Sequence, residues 1–378
     1  MKVIKNEVYL ILLINRFCII FDKITLETKV KIEKDNEILC GCVSSNNNEI
    51  LLVTSDKNIS LHNIADGSFI KNVTCSKKPN AICMITHEKK EYAVIADKNG
   101  YLIGMPFPEL TPMKFLFGHT ASIITCIMSK NGYLVSSDRD EKIFVNQFPQ
   151  SYIIHSLCSG HTMYIKCLCD TPRDNVILSG GGDGTVFMWN IDNGRIIHAI
   201  TLDDTESLET VKTKEHNRKH EPKEEELIYE HPIIQEICTC QNQFIITYCN
   251  MGKKLFIINM DTFEYIDSYE FPAIIAHVYP VYDTKNETEK TSLFYVFTQD
   301  NHIYKLYLEN TNEFKIHSDI FNDAETIFKE LIPLGYTIED SICLDTEMMK
   351  RIVHDRVEQS AGYEKQLEHI NKKVKKDE

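Results

Sequence analysis

The chain lacks any apolar run of the roughly 18 residues that a membrane span requires. An apolar stretch does occur near the N-terminus, at Val8–Ile14, but Glu7 directly precedes it and Asn15 and Arg16 end it. No small-residue cleavage site follows, so the stretch predicts a buried strand and not a signal peptide. We therefore expect a soluble intracellular protein with no membrane partner.

Signatures of catalysis and of metal binding are missing as well. The sequence has no G-x-x-x-x-G-K-[ST] loop, no G-x-S-x-G elbow, no H-E-x-x-H motif and no C-x-x-C pair. The 13 cysteines instead include C-x-C pairs such as Cys40/Cys42, a spacing that places both thiols on one face of a strand. We expect reduced, buried thiols, and no catalytic site, metal or cofactor in this chain.

Basic residues are fewer than acidic residues. The 378 residues contain 41 Lys and Arg against 55 Asp and Glu, a formal net charge of −14. Such a surface repels phosphate, so the chain as a whole is a poor candidate for an autonomous nucleic-acid binder.

An internal repeat is present. Short turns recur at Asp56, Asp97, Asp140 and Asp183, which are 41, 43 and 43 residues apart. This period matches the roughly 40–45 residues of a four-stranded propeller blade. The repeat predicts an all-β fold, a seven-bladed WD-repeat β-propeller with a C-terminal helical tail.

The clearest repeat also contains side chains that can form a buried hydrogen-bonded chain, namely His161, Ser179, Asp183 and Trp189. The preceding repeat offers His119, Ser136 and Asp140, with Asn146 at the tryptophan position. Buried polar groups need partners, and here each group has one within its own repeat. We interpret these residues as structural residues that hold the strands of a blade together, and not as a hydrolase triad.

The repeats define the domain organisation. Residues 1–335 form the propeller, with blades near 39–74, 81–116, 119–158, 161–201, 233–270 and 272–318. A seventh blade is expected from Val8–Val30 together with one strand from the chain after Asp319. Residues 202–232 are highly charged and poor in apolar residues, which predicts a flexible insert loop. Residues 336–378 form the tail, helical by its apolar spacing and basic at its end; it packs on the propeller or docks a partner or RNA phosphate.

The two central repeats carry a more specific pattern. Gly118-His-Thr-Ala-Ser-Ile-Ile is followed by Ser136-Ser-Asp-Arg-Asp-Glu-Lys-Ile143, and then by Gly160-His-Thr-Met-Tyr-Ile. This pattern resembles the WD-repeat, non-catalytic subunit of eukaryotic tRNA (guanine-N7)-methyltransferase. The turn that contains Glu141 is its most specific element, because a generic WD turn has a small residue there.

The resemblance implies a scaffold function. Family members bind and stabilise a separate methyltransferase, as a heterodimer, and that catalytic subunit holds S-adenosylmethionine and modifies a guanine in the tRNA variable loop. It further implies that tRNA is contacted mainly through the complex, and a location in the nucleus, with the cytoplasm as an alternative. The partner-binding residues that it implies are Arg139, Asp140, Glu141, Lys142 and Phe144.

One departure concerns Phe144, which stands where the resemblance implies a basic residue. An apolar contact would then replace a charge, or Lys142 would carry the interaction. The alternative function is a generic WD-repeat adaptor, a ubiquitin-ligase substrate receptor or peptide reader, which would bind through the loops of the top face.

Overall fold

A computed structural model of the chain describes residues 2–4, 8–22, 27–202, 210–214, 224–228, 232–240, 244–249, 252–281, 293–298, 303–308 and 314–317. The chain divides into two units. The first comprises Met1–Leu208 and Glu230–Tyr336, and the second comprises Glu209–Tyr229 and Thr337–Glu378. The predicted tail, residues 336–378, lies outside the described residues.

The first unit consists of seven antiparallel sheets of four strands each, and each sheet is one continuous stretch of chain. The first sheet contains β1 (Lys2–Ile4), β2 (Tyr9–Ile14), β3 (Phe17–Asp22) and β4 (Thr28–Glu33). The second contains β5 (Ile38–Val43), β6 (Glu49–Thr54), β7 (Asn58–Asn63) and β8 (Phe69–Thr74). The third contains β9 (Pro79–His87), β10 (Lys90–Asp97), β11 (Tyr101–Phe107) and β12 (Lys114–Gly118).

The fourth and fifth sheets follow without an insert. They contain β13 (Ile123–Met128), β14 (Leu134–Asp138), β15 (Lys142–Asn146) and β16 (Ile154–Ser159), then β17 (Ile165–Asp170), β18 (Val176–Gly181), β19 (Thr185–Asn190) and β20 (Arg195–Thr201). In the second unit, β21 (Thr210–Lys214) pairs with β22 (Glu224–Ile228). The sixth sheet contains β23 (Ile234–Cys240), β24 (Phe244–Cys249), β25 (Lys254–Asn259) and β26 (Tyr265–Glu270), and the seventh contains β27 (Ile275–Val281), β28 (Leu293–Thr298), β29 (Ile303–Leu308) and β30 (Phe314–His317).

The seven sheets close into a ring. The first strand of each sheet contacts the first strand of the next, and β27 of the last sheet contacts β1 of the first. The hydroxyl of Tyr279 donates a hydrogen bond of 2.8 Å to the carbonyl of Tyr9 across this closure. Closure removes the exposed edges that an open array of sheets would present. The predicted seven-bladed β-propeller is therefore confirmed.

The core lies between neighbouring sheets. One cluster, for example, joins Ile11 and Ile20 of the first sheet to Ile50 and Leu52 of the second, all of them fully buried. The middle strands of a blade have sheets on both faces, so they are continuous apolar runs such as Ile50–Val53. The fourth strands of the second and fifth blades, β8 and β20, are largely exposed to solvent.

Two features differ from the expectations. The N-terminal blade takes all four of its strands from residues 2–33, because the short segment Lys2–Ile4 pairs with β2. No strand from the chain after Asp319 is needed to complete it. The charged insert, for its part, contains the hairpin β21–β22, whose register sets Lys212 opposite Glu226 and Lys214 opposite Glu224.

Among the residues that the structure describes, no helix is long and apolar enough to cross a membrane.

Candidate functional site: a charged turn on a buried hydrogen-bond network

The charged turn joins β14 to β15 in the fourth blade. Four of the five residues predicted to bind a partner stand together here: Arg139, Asp140, Glu141 and, at the start of β15, Lys142. The N–H of Arg139 donates to the carbonyl of Ser122, 3.0 Å away, at the start of the blade. The sequence-predicted group is therefore one short surface element with a fixed backbone.

Asp138 holds this turn in place. Its Oδ1 accepts the backbone N–H groups of Asp140 at 2.9 Å and of Lys142 at 3.1 Å, while its Oδ2 lies 2.9 Å from His119 Nδ1. His119 Nε2 lies 2.7 Å from the hydroxyl of Ser136. A carboxylate can only accept, so Nδ1 of His119 donates to Asp138, and in the neutral imidazole Nε2 accepts from Ser136. His119, Ser136 and Asp138 are all buried, so the turn rests on a network whose polar groups satisfy one another.

The fifth blade contains the corresponding network with two changes, an added tryptophan and a carboxylate from a different position of the turn. The indole N–H of Trp189 donates to Ser179 Oγ at 2.7 Å, and Ser179 Oγ lies 2.7 Å from His161 Nε2. His161 Nδ1 lies 2.8 Å from Asp183 Oδ2. The four residues form the chain Trp189–Ser179–His161–Asp183, entirely within one blade.

The two carboxylates come from different positions of the hairpin. The strand registers set Asp138 level with Gly181, and Asp140 level with Asp183. A Cβ on Gly181 would lie 2.6 Å from the carbonyl of Tyr164, so this position admits no side chain and the fifth blade supplies its carboxylate two residues later. In the fourth blade Asp138 fills the network position. His119 therefore bonds Asp138 and not Asp140, and the Asp140 side chain is left 47% exposed at the surface.

The same registers show that the aspartates of the predicted repeat do not all occupy equivalent positions. Asp97 ends β10 and accepts the N–H groups of Asn99 and Tyr101, as Asp138 does for its own turn. The counterpart of Asp140 in that blade is thus Asn99 and not Asp97. Aspartate occurs at two different positions of this turn. Measuring the repeat from one aspartate to the next therefore treats the two positions as one.

The Asp183 network makes the stability of the protein depend on pH. Burial alone would raise the pKa of Asp183, but the hydrogen bond and charge of His161, with the N–H groups of Thr162 and Thr185, outweigh burial and lower it. A lowered folded-state pKa contributes stability above the unfolded pKa, and that contribution is lost as the pH falls through the folded value. We expect Asp183→Asn to destabilise the protein by about 1–2 kcal/mol at pH 7. The variant should also lose less stability than wild type as the pH falls below about 4, the ordinary pKa of an aspartate.

The measurement is thermal or urea unfolding followed by the fluorescence of Trp189. It is the single tryptophan of the chain, and it is fully buried beside this network. Parallel acid profiles for wild type and variant would contradict the assigned role of Asp183.

Glu141 has an unusual backbone conformation. Its φ is 70°, and the residues at the same position of three other turns have φ values of 72° (Lys57), 89° (Gly100) and 68° (Gly184). A left-handed φ costs a residue with a Cβ on the order of 1 kcal/mol, and glycine avoids that cost. Glu141 therefore carries a local backbone cost that glycine would avoid, as Lys57 does in its own turn.

The turn mixes charges of both signs. Arg139 Nε lies 3.6 Å from Asp140 Oδ1, with the Arg139 side chain 31% exposed. An exposed pair of this kind contributes little to stability, about 0–1 kcal/mol. The turn is suited instead to orienting a partner that has complementary charges.

Phe144 occupies a different environment from the turn residues. Its ring lies edge-on to His119, with the centroids 4.6 Å apart, and 5.2 Å from Phe117. Phe187 packs on His161 in the same way, at 4.6 Å. Phe144 therefore covers the histidine of its blade. It remains half-buried and lies opposite the exposed Leu157 in register, which leaves an apolar surface beside the turn.

A family model and a solved structure are similar to this chain. The family model described as the tRNA methyltransferase TRM82 WD40 domain matches residues 108–301, which include the charged turn and both networks. A chain of a solved structure titled "Crystal Structure of Mitotic Checkpoint Complex" superimposes with a TM-score of 0.62, covering 80% of this chain and 85% of that one. With 10% sequence identity, that likeness concerns the fold alone.

Three curated relatives are named as tRNA (guanine-N(7)-)-methyltransferase non-catalytic subunits. The wdr4 protein of Dictyostelium discoideum is 30% identical over 171 residues, which is 45% of this chain and 32% of that protein. The wdr4 protein of Xenopus laevis is 32% identical over 114 residues, 29% of each chain. The TRM82 protein of Kluyveromyces lactis is 25% identical over 244 residues, 61% of this chain and 53% of that protein. The chain thus spans about a third to a half of the length of these relatives.

Proposed function

This chain belongs to the family of the tRNA methyltransferase TRM82 WD40 domain, and on that premise we propose that it is a non-catalytic scaffold subunit. Its partner is a separate tRNA (guanine-N7)-methyltransferase catalytic subunit, which it binds as a heterodimer and stabilises or activates. The complex forms N7-methylguanine in the tRNA variable loop. S-adenosylmethionine is held by the partner, and tRNA is bound mainly through the complex, in the nucleus.

The geometry of the charged turn supports the proposal independently of family membership. The turn Arg139–Lys142 keeps a glutamate in a left-handed conformation, on a backbone fixed by the buried Asp138. A surface element that is both strained and rigidly supported is suited to recognition, because little side-chain and backbone freedom is lost on binding. We assign Arg139, Asp140, Glu141 and Lys142 to the partner surface, with the exposed part of Phe144 at its margin.

The proposal is tested by co-purification of the tagged full chain from its own cells, followed by a guanine-N7 methylation assay of the eluate on tRNA. We expect a methyltransferase in the eluate, with activity that collapses when this chain is absent. Recovery of ubiquitin-ligase or chromatin components without a methyltransferase would instead support an adaptor that binds through the top-face loops.

Glu141→Gly separates stability from binding. We expect the glycine to stabilise the folded chain by about 1 kcal/mol, because it relieves the left-handed conformation. It should also weaken partner binding by roughly fivefold to tenfold, because one charge of the recognition turn is lost. Thermal unfolding and the dissociation constant of the purified heterodimer measure the two effects.

Lys57→Gly is the matched control. Lys57 occupies the same turn position in the second blade, with a φ of 72°. It should give a similar gain in stability with partner affinity unchanged. Equal partner affinities for wild type and Glu141→Gly would remove Glu141 from the interface.

A further inference from the structure

The second blade lacks the network of the fourth and fifth blades, and different residues stand at its positions. Lys34 precedes the first strand of its blade by four residues, as His119 and His161 do in theirs. His62 stands level with Trp189 of the fifth blade. Lys34 Nζ lies 2.7 Å from His62 Nε2, so in this blade the residues at the histidine and tryptophan positions pair directly.

A second replacement opens a cavity beside that pair. Ser60 stands level with Phe144 and Phe187, whose rings cover the histidines of their blades. With a serine in place of the ring, a cavity of about 150 Å³ remains, lined by Lys34, Asp56, Ser60, Phe69 and Asn72 among others. The Lys34 ammonium also lies 5.8 Å from the centre of the Phe69 ring. A half-buried amine thus lines an open cavity that the other two blades fill with an aromatic side chain.

Burial changes the titration of both members of the pair. Burial lowers the pKa of Lys34, although the negative charges of Asp35 and Asp56 act in the opposite direction. Burial also lowers the pKa of His62, and its Nδ1 lies 3.0 Å from the carbonyl of Gly67, to which it donates. A neutral imidazole with a protonated Nδ1 presents the lone pair of Nε2 to the lysine, and can accept a proton from it.

We propose that Lys34 is a reactive amine and a site of covalent acylation by acyl thioesters, in a cavity that Ser60 leaves open. The free amine of Lys34 attacks the thioester carbonyl, a C–N bond forms and the C–S bond breaks. His62 Nε2 takes the proton lost by the amine and passes it to the departing thiolate. The products are an amide on Lys34 and a free thiol, so no oxidant or reductant is required.

The test incubates the full chain with acetyl-coenzyme A alone and follows acetylation of each lysine by mass spectrometry. Lys29 is the internal control, because its side chain is 45% exposed and its hydrogen bond to Asp22 raises its pKa. We expect Lys34 to acetylate at least about fivefold faster than Lys29, since free amine rises tenfold for each pKa unit below the ordinary value. Equal or slower labelling of Lys34 would overturn the proposal, because accessibility alone favours Lys29.

Ser60→Phe restores the side chain found at this position in the fourth and fifth blades. It should close the cavity and lower labelling of Lys34 to the rate of Lys29 or below, with Lys29 unchanged. Native Trp189 fluorescence verifies that the variant is folded, and Ser60→Leu serves in its place if it is not. Undiminished labelling of Lys34 in the folded variant would show that the cavity has no role.

Discussion

Under the proposed function, Lys142→Glu is expected to weaken association with the methyltransferase partner by about 100-fold, a loss of about 2.7 kcal/mol. Reversal places a negative charge where the proposed interface presents a positive one, and apposed like charges at an interface cost several kcal/mol. The N–H of Lys142 that bonds Asp138 belongs to the backbone and is retained, so the turn should keep its shape. The dissociation constant of the heterodimer and the tRNA methylation rate are the measurements.

Lys253→Glu is the matched control. Lys253 is an exposed residue between β24 and β25 of the sixth blade, so its reversal changes the net charge equally on a different blade. It should leave partner affinity within about twofold of wild type. Equal losses for the two variants would indicate general electrostatic attraction, and no loss for Lys142→Glu would place the partner elsewhere, as the adaptor alternative requires.

The second to fifth blades could be predicted because a similar turn recurs in each of them, at a spacing of 41 to 43 residues. The predicted blade 39–74 corresponds to β5–β8, which run from Ile38 to Thr74. Turn residues at fixed offsets identify a hairpin even when its strands are ordinary apolar runs. The first strand of the N-terminal blade has no such marker. Lys2–Ile4 is three residues long, and only its pairing with β2 makes it a strand.

The supporting residues of the site were harder to predict. Asp138 and Asp140 are both aspartates near the same turn, and sequence spacing favours Asp140. The choice between them depends on whether the strand-end position can hold a side chain, which it can at Asp138 and cannot at Gly181. One signal was available, since Ser136 is followed two residues later by an aspartate, whereas Ser179 is followed there by glycine.

The Lys34–His62 pair shows a further limit. Both positions belong to the network of the blade, but the residue types differ from those of the fourth and fifth blades, so no motif identifies them. Only the strand register shows that His62 stands at the tryptophan position and that Ser60 stands at the phenylalanine position.

Trp189→Ala is expected to have the largest effect on stability, a loss of about 3–5 kcal/mol in the free energy of unfolding. Trp189 is fully buried, and its ring packs in a cluster with Val135, Ile143 and Val145 of the fourth blade. Removing it leaves a large cavity between two blades and leaves Ser179 without its indole donor. Circular dichroism should show a melting temperature lower by about 5–10 °C.

The control is Tyr265→Ala, an aromatic truncation at a residue 50% exposed on β26, which should cost only about 0.5 kcal/mol. The cluster around Trp189 includes the strands that carry the charged turn, so Trp189→Ala should also weaken partner binding, most strongly as the temperature nears its melting point. Lys142→Glu should show the opposite combination, poor binding at every temperature with an unchanged melting temperature. If the two variants lost binding in the same way, the turn would act through the stability of its blade and not through direct contact with the partner.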